Sequence, residues 1–170
     1  MWAFDEHRVG LRPIIKRVWS PRGKRWVARV NHRFDWLYVY GFVHPHSGKT
    51  VWYLLPVVNT PAMQAVLDSF AVASGAGQDK HVVLVLDNAG WHTSHELVVP
   101  EGITLLFLPP YAPELQPAER LWDGVDAALY NRTFEDLDEL QRVVNAQCVR
   151  LMAQQAQMCG LTNFHWWPDC

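Results

Sequence analysis

Three acidic residues stand where the chain changes from one kind of element to another. Asp5 ends a short apolar opening, Asp87 follows the apolar run His81–Leu86, and Glu119 follows a proline-rich connector. Asp5 reads as the end of a first strand over Met1–Glu6 and Asp87 as the end of a fourth. If those strands are neighbours, the two carboxylates meet at one sheet edge, where Glu119 can join them. Carboxylates crowded together repel and are costly unless a cation holds them. Mg²⁺ takes hard oxygen ligands and keeps waters and phosphate oxygens in its shell, so two or three carboxylates suffice. Two such ions, roughly 3.5–4 Å apart, stabilise the attacking and leaving oxygens of an in-line displacement at phosphorus. Metal-dependent phosphoryl transfer, with no side-chain general base, is the chemistry this set implies.

Each acid also has a plain structural reading. Asp5 could be a solvated strand end, with Glu6 beside it on the opposite face. Asp87-Asn88-Ala89-Gly90 could be a turn after a buried strand. Glu119 could be a first-turn acid favoured by the helix dipole. Glu114 is its rival for the third position, but Glu114 lies between prolines whereas Glu119 opens a helix. His92 and His95 are spaced like part of a zinc site, yet two His without nearby Cys make a weak signal. His92 reads better as a rim group that contacts phosphate or orients a carboxylate, against a purely structural histidine. Trp91 and Tyr111 are candidates for base stacking or for burial. Asp123 and Asp126, one turn beyond Glu119, read as solvated.

The elements that must position these groups follow from pattern. Trp36–Val43 and Val51–Val58 are rich in aromatic and β-branched residues and flank the turn cluster His44-Pro45-His46-Ser47-Gly48, which predicts an antiparallel hairpin. Pro61–Ala73 has helical periodicity, with Met63, Val66, Leu67 and Phe70 on one face, Thr60 as N-cap and Pro61 at N1. His81–Leu86 and Ile103–Leu108 are apolar enough for strands covered on both faces, and Asp87–Pro100 between them reads as a loop with at most a turn of helix. Pro109–Pro117 contains four prolines and is a rigid connector. Pro117–Tyr130 and Phe134 to about Ala156 are helical, the latter capped by Thr133 and carrying the stripe Leu137, Leu140, Val144, Cys148 and Leu151. The sum is one α/β layer system, a mixed five-stranded sheet flanked by helices.

The 170 residues fit a single domain of ordinary globular composition, 49% hydrophobic and 19% charged. No apolar run approaches 18 residues and no signal peptide opens the chain, which argues for a cytoplasmic protein whose three Cys are idle thiols. The formal charge of −2 gives no global attraction to nucleic acid. Its distribution does: nine of the fifteen Lys and Arg fall between Arg8 and Arg33, a stretch with no Asp or Glu. That is the footprint of a phosphate-tracking arm, with a solvated basic loop as the plain alternative. Arg17, Trp19, Arg22, Lys24 and Arg25 are its candidate DNA contacts, Trp19 by stacking among cations. Pro21 and Gly23 make the arm extended, and its place after the first strand predicts that it leaves beside Asp5. Trp166 and Trp167 at the end of the chain predict a docked tail. A strand that begins at residue 2 predicts a preceding segment.

The string Val85-Leu86-Asp87-Asn88-Ala89-Gly90-Trp91-His92, followed by Leu108-Pro109-Pro110-Tyr111-Ala112-Pro113-Glu114-Leu115-Gln116-Pro117-Ala118-Glu119-Arg120-Leu121-Trp122, resembles the bacterial insertion-sequence branch of the mariner transposase superfamily. Asp5-Glu6, the segment Arg17-Val18-Trp19 to Gly23, and Phe164-His165-Trp166 resemble further strings of that group, so the likeness runs along nearly the whole chain. It differs in Ala112 for Ser, in Gln116 for Asn, and in the 31 residues between Asp87 and Glu119, a few fewer than usual for the group. The resemblance implies an RNase H-like catalytic domain with Asp5, Asp87 and Glu119 as metal-binding catalytic acids. It further implies two Mg²⁺ or Mn²⁺ ions, DNA strand cleavage and strand transfer at transposon ends, and a homodimer. The group's N-terminal helix-turn-helix region has no counterpart here, which implies a separate DNA-binding segment. The rival readings are a nuclease on the same fold without strand transfer, and an inactive remnant that binds DNA or a sister transposase.

Overall fold

The computed structural model describes residues 1–24, 33–110 and 112–168. Five strands form one mixed sheet: β1 (Trp2–Gly10), β2 (Trp36–His44), β3 (Lys49–Leu55), β4 (Val82–Leu86) and β5 (Ile103–Phe107), in the order β3-β2-β1-β4-β5. The first three pair antiparallel; β1 with β4 and β4 with β5 pair parallel. The expected hairpin is β2–β3. Its turn closes through Gly48, whose amide donates to His44 O at 2.8 Å. Gly48 has φ +66°, and a Cβ there would run into the backbone of Gln155, so only glycine fits.

Alternation along β1 sorts the core into two layers. Trp2 and Phe4 face α1 (Thr60–Ser74), with Phe42, Leu84 and Leu86 beside them and Met63, Val66, Leu67 and Phe70 opposite. Ala3 and Val9 face α2 (Trp122–Asp126), α3 (Leu137–Ala153) and α4 (Gln155–Thr162). On α3 the stripe Leu140, Val144, Cys148 and Leu151 is buried. The helical faces read from sequence are therefore the ones that pack.

Several local expectations need correction. The N-cap of α1 is Asn59, not Thr60: Asn59 Oδ1 accepts from Ala62 N at 2.8 Å. The cap of α3 is Asp136, not Thr133, accepting from Glu139 N at 2.8 Å; a carboxylate there also complements the helix dipole. Both are ordinary capping chemistry displaced along the chain. Strand β3 stops at Leu55, because Pro56 has no N–H for the ladder. The helix expected over Pro117–Tyr130 is a 3-10 segment, Pro117–Leu121, followed by the short α2. The last helix breaks at Gln154 into α3 and α4. The tail docks as expected: Trp167 is buried and Pro168 O accepts from His46 Nε2 at 2.7 Å.

The largest correction concerns β1. It runs five residues beyond Asp5, to Gly10, so Asp5 sits within the strand and the basic arm leaves about 17 Å further along it. The arm is rooted at the far side of α2, where Asn131 N donates to Ile14 O and Lys16 N donates to Asn131 Oδ1.

Phe70 lies flat on Phe42, ring centroids 4.0 Å apart and planes 9° apart, with no solvent exposure. Phe70→Ala should lower unfolding stability by about 3–5 kcal/mol, read from urea denaturation at constant m-value; a loss under about 1 kcal/mol would show that α1 is not packed in this way.

Candidate active site

The β1–β4 ladder consists of Trp2 beside Leu84 and Ala3 beside Val85. Carried two residues further, that register sets Asp5 level with Asp87, one residue past the end of β4 and on the same face. Both line a cleft of about 420 Å³ with Glu119, Asn88, Gln116, Leu108, Pro109, Pro110, Ala112 and Pro113. Glu114 is exposed and does not line it. The structure thus brings Asp5, Asp87 and Glu119 together and leaves the rival acid outside.

Each acid is held by a different device. Asp5 Oδ1 accepts from the Glu6 amide and Oδ2 from Trp122 Nε1, both at 2.9 Å. Asp87 Oδ1 accepts from Ala89 N at 3.0 Å and from His92 Nδ1 at 2.8 Å. Asn88 Nδ2 donates to Leu108 O and ties together the ends of β4 and β5. Glu119 is placed by its backbone: Gln116 Nε2 donates to Phe4 O at 2.9 Å and its Oε1 accepts from Ala118 N at 3.3 Å, clamping the 3-10 segment to β1.

His92 corrects an expectation. Its side chain is fully buried, with Nδ1 on Asp87 and Nε2 on Glu6 Oε1 at 2.9 Å. Neither nitrogen is left for phosphate, so of the two rim roles only carboxylate orientation fits, and His95 cannot join it in a zinc site. A neutral imidazole has one N–H; a ring facing carboxylate oxygens on both sides is held as the cation. Burial alone would push the ring down, but the bonds to Asp87 and Glu6 outweigh it and raise it to about 9. The same His92 contact, against a smaller opposing effect of burial, holds the Asp87 carboxyl below its ordinary value.

Glu6 points to the opposite sheet face from Asp5, where it also accepts from Trp91 Nε1 at 3.0 Å. Trp91 therefore packs against the fold, and Tyr111 lies outside the described residues. Asp126 is not solvated but paired with His7 Nε2 at 2.9 Å; Asp123 is exposed. Arg17, Trp19, Arg22 and Lys24 are all exposed, and Arg25 lies outside the described residues. Three contributors went unread in the sequence: Glu6, Trp122 and Gln116. The alternation of β1 could have separated Glu6 from Asp5, and Gln116 stands within the Pro110–Glu119 string; the partner of Trp122 is 117 residues away and left no local signal.

Burial pushes the Asp5 carboxyl up to about 7; the Trp122 bond opposes this, while the charges of Glu6 and Asp87 add to it. Glu119 is also raised, by burial and by Asp87, against the opposing charge of Arg120. Among the described residues no Lys, Arg or His lines the cleft. The donor set therefore consists of hard oxygens short of a cation, which fits a divalent ion. Among the described residues no three His, Cys, Asp or Glu form a ready cage; Mg²⁺ does not need one, since waters and phosphate oxygens complete its shell. Removing His92 would leave Glu6, 8% exposed, as a buried charge without its partner. His92→Ala should cost about 3–5 kcal/mol of stability, and Glu6→Gln should cost less; equal, small losses in urea denaturation would show that the pair is not charged.

Residues 1–141 match the family described as DDE superfamily endonuclease. An uncharacterized protein, y4pE/y4sA, of Sinorhizobium fredii is 43% identical over 132 residues, which are 77% of this chain and 96% of that protein. The fold matches the Mos1 transposase in a pre-cleavage transpososome and in a mariner paired-end complex with Mn, each with a TM-score of 0.63 at 16% identity and covering 97% of this chain. The chain spans 56% of those Mos1 chains. The described helices include none long and apolar enough to cross a membrane. Sheet order, motif placement and family match agree: this chain belongs to the DDE superfamily endonuclease family.

Proposed function

We propose that this chain is the catalytic domain of a DNA transposase, which cuts DNA at transposon ends and joins the freed 3′ hydroxyl to target DNA. The convergence of Asp5, Asp87 and Glu119 on one cleft carries this reading. Those three side chains would hold Mg²⁺ or Mn²⁺, most simply as two ions. Bound there, divalent ions supply Lewis-acid activation at the attacking and leaving oxygens of phosphoryl transfer. The chain's own part is placement: Asp5 on β1 and Asp87 just past the end of the adjacent β4 stand at one level, and the Gln116 clamp holds the segment that carries Glu119. The family match and the Mos1 complexes with Mn and Mg support the same reading. It carries with it a homodimer to hold two ends together, a separate N-terminal segment for end recognition, and cytoplasmic action.

The exposed arm supplies sequence-independent contacts to phosphate, through Arg17, Arg22 and Lys24, with Trp19 free to stack and Arg25 part of the same set. DNA binding by the chain alone is then weak and strongly salt-dependent.

Asp87→Asn and Glu119→Gln should each abolish Mg²⁺-dependent cleavage of a DNA substrate while the folded state survives by circular dichroism; Glu114→Gln should cut normally. Cleavage at the parental rate by Asp87→Asn would refute the metal-ligand assignment, and the reverse pattern for the two Glu variants would move the third position to Glu114. Changing Arg17, Arg22 and Lys24 together to Ala should weaken DNA binding and flatten its salt slope by roughly one unit per lost phosphate contact. An unchanged slope with loss of the dimer would assign the arm to a subunit contact instead.

A further inference from the structure

In the antiparallel β1–β2 ladder the partner of Asp5 is Gly41. Directly paired residues point to the same sheet face, so a side chain at Gly41 would stand beside the Asp5 carboxylate. The indole of Trp122 occupies that space. A Cβ on Gly41 would fall 2.8 Å from Cη2 of Trp122, closer than real contacts allow, and 3.0 Å from Cζ3 of Trp52, a tight contact. The ring is also stacked on His7, with centroids 5.0 Å apart and planes 14° apart, and His7 is pinned to Asp126 at 2.9 Å. Trp52 meets the indole edge-on at 6.2 Å. With the ring so confined, Nε1 reaches Asp5 Oδ2 at 2.9 Å.

We propose that Trp122 is the positioning residue for Asp5 and that Gly41 is the seat that lets it act. The inference rests on the metal-dependent reading above. An indole is well suited to the task. It donates one N–H and accepts nothing, so it fixes the carboxylate without competing for a cation. The Glu6 amide holds the other oxygen, so the plane of the carboxylate is set from both ends. An ionised carboxylate has about four lone-pair sites, and each oxygen keeps one free for the cleft. Trp122 lies three residues after Glu119, so the segment that delivers the third acid also orients the first.

The test measures Mn²⁺ affinity by titration, beside thermal unfolding, for the whole chain and three variants. Trp122→Phe keeps a ring but removes the N–H; it should bind Mn²⁺ about 10-fold more weakly, in the range seen when groups behind a metal ligand are removed. Gly41→Ala should weaken Mn²⁺ similarly by displacing the indole. Phe lacks the far ring that Gly41 accommodates, so Gly41→Ala added to Trp122→Phe should cause no further loss, a non-additivity expected only if both act through one contact. A folded Trp122→Phe with parental Mn²⁺ affinity would overturn the inference and leave Trp122 as packing. If Trp122→Phe does not fold, parental affinity in Gly41→Ala would overturn it equally. No Mn²⁺ binding by the parent would sink the metal reading itself, and this inference with it.

Discussion

The parallel pairing of β1 with β4 spans Trp2–Leu84 and Ala3–Val85, and the site depends on that register. Two residues on, it sets two carboxylates side by side. Slipping a strand by one residue turns every side chain to the other face, which would send Asp5 toward α1 and Glu6 into the cleft. The apolar layers resist this. Trp2 and Phe4 are buried against α1 while Ala3 and Val9 are buried under the other helices, so a slip would misplace the aromatic core along with the acids.

The sheet also separates two electrostatic environments. On the α1 side, His92 sits between Glu6 and Asp87, and the charge there is compensated within the protein. On the cleft side no basic residue stands among the described lining residues, and the Asp5 carboxyl is pushed up to about 7 mainly by burial. Asp87 belongs to both sides: one oxygen engages His92 and its backbone ends β4 at the cleft. Its carboxyl is lowered where that of Asp5 is raised. Two acids of the same type and level thus differ because burial dominates at Asp5, where the neutral indole only partly offsets it, while a cationic partner behind Asp87 outweighs burial there.

Much of this was legible from residue order. The apolar run His81–Leu86 gave the buried β4, whereas Ile103–Leu108, expected to be covered on both faces, is the edge strand β5, with Ile103 buried but Leu106 and Phe107 exposed. The periodic stripes on α1 and α3 gave the packed faces, and the Asp87–His92 and Pro110–Glu119 strings pointed to the acids that share the cleft. Other features left no local trace. Strand β1 looked short because His7 and Arg8 are polar, yet a strand with one face at a functional site need not be apolar there. The capping residues were displaced because several Asn, Asp and Thr stood nearby and tertiary packing chose among them. His92 looked like a rim residue because its acid partner, Glu6, is 86 positions away. Such pairings arise only when the sheet is assembled.

The three acids are not anchored alike, and their residue types match the difference. Asp5, within β1, and Asp87, just past the end of β4, have short side chains, each oriented by a side-chain hydrogen bond from a buried or half-buried ring. Glu119 is exposed, on a 3-10 segment fixed by side-chain contacts of buried Gln116 to the backbone of Phe4 and Ala118, and among the described residues none bonds to its own carboxylate. A longer side chain has more rotatable bonds and costs more entropy to order, but it also reaches further. Asp5 and Asp87 therefore define one edge of the cleft, and Glu119 lines the same cleft from the 3-10 segment. For the proposed reaction, this division would combine placement accurate enough for in-line chemistry with room for a substrate as large as a nucleic acid strand.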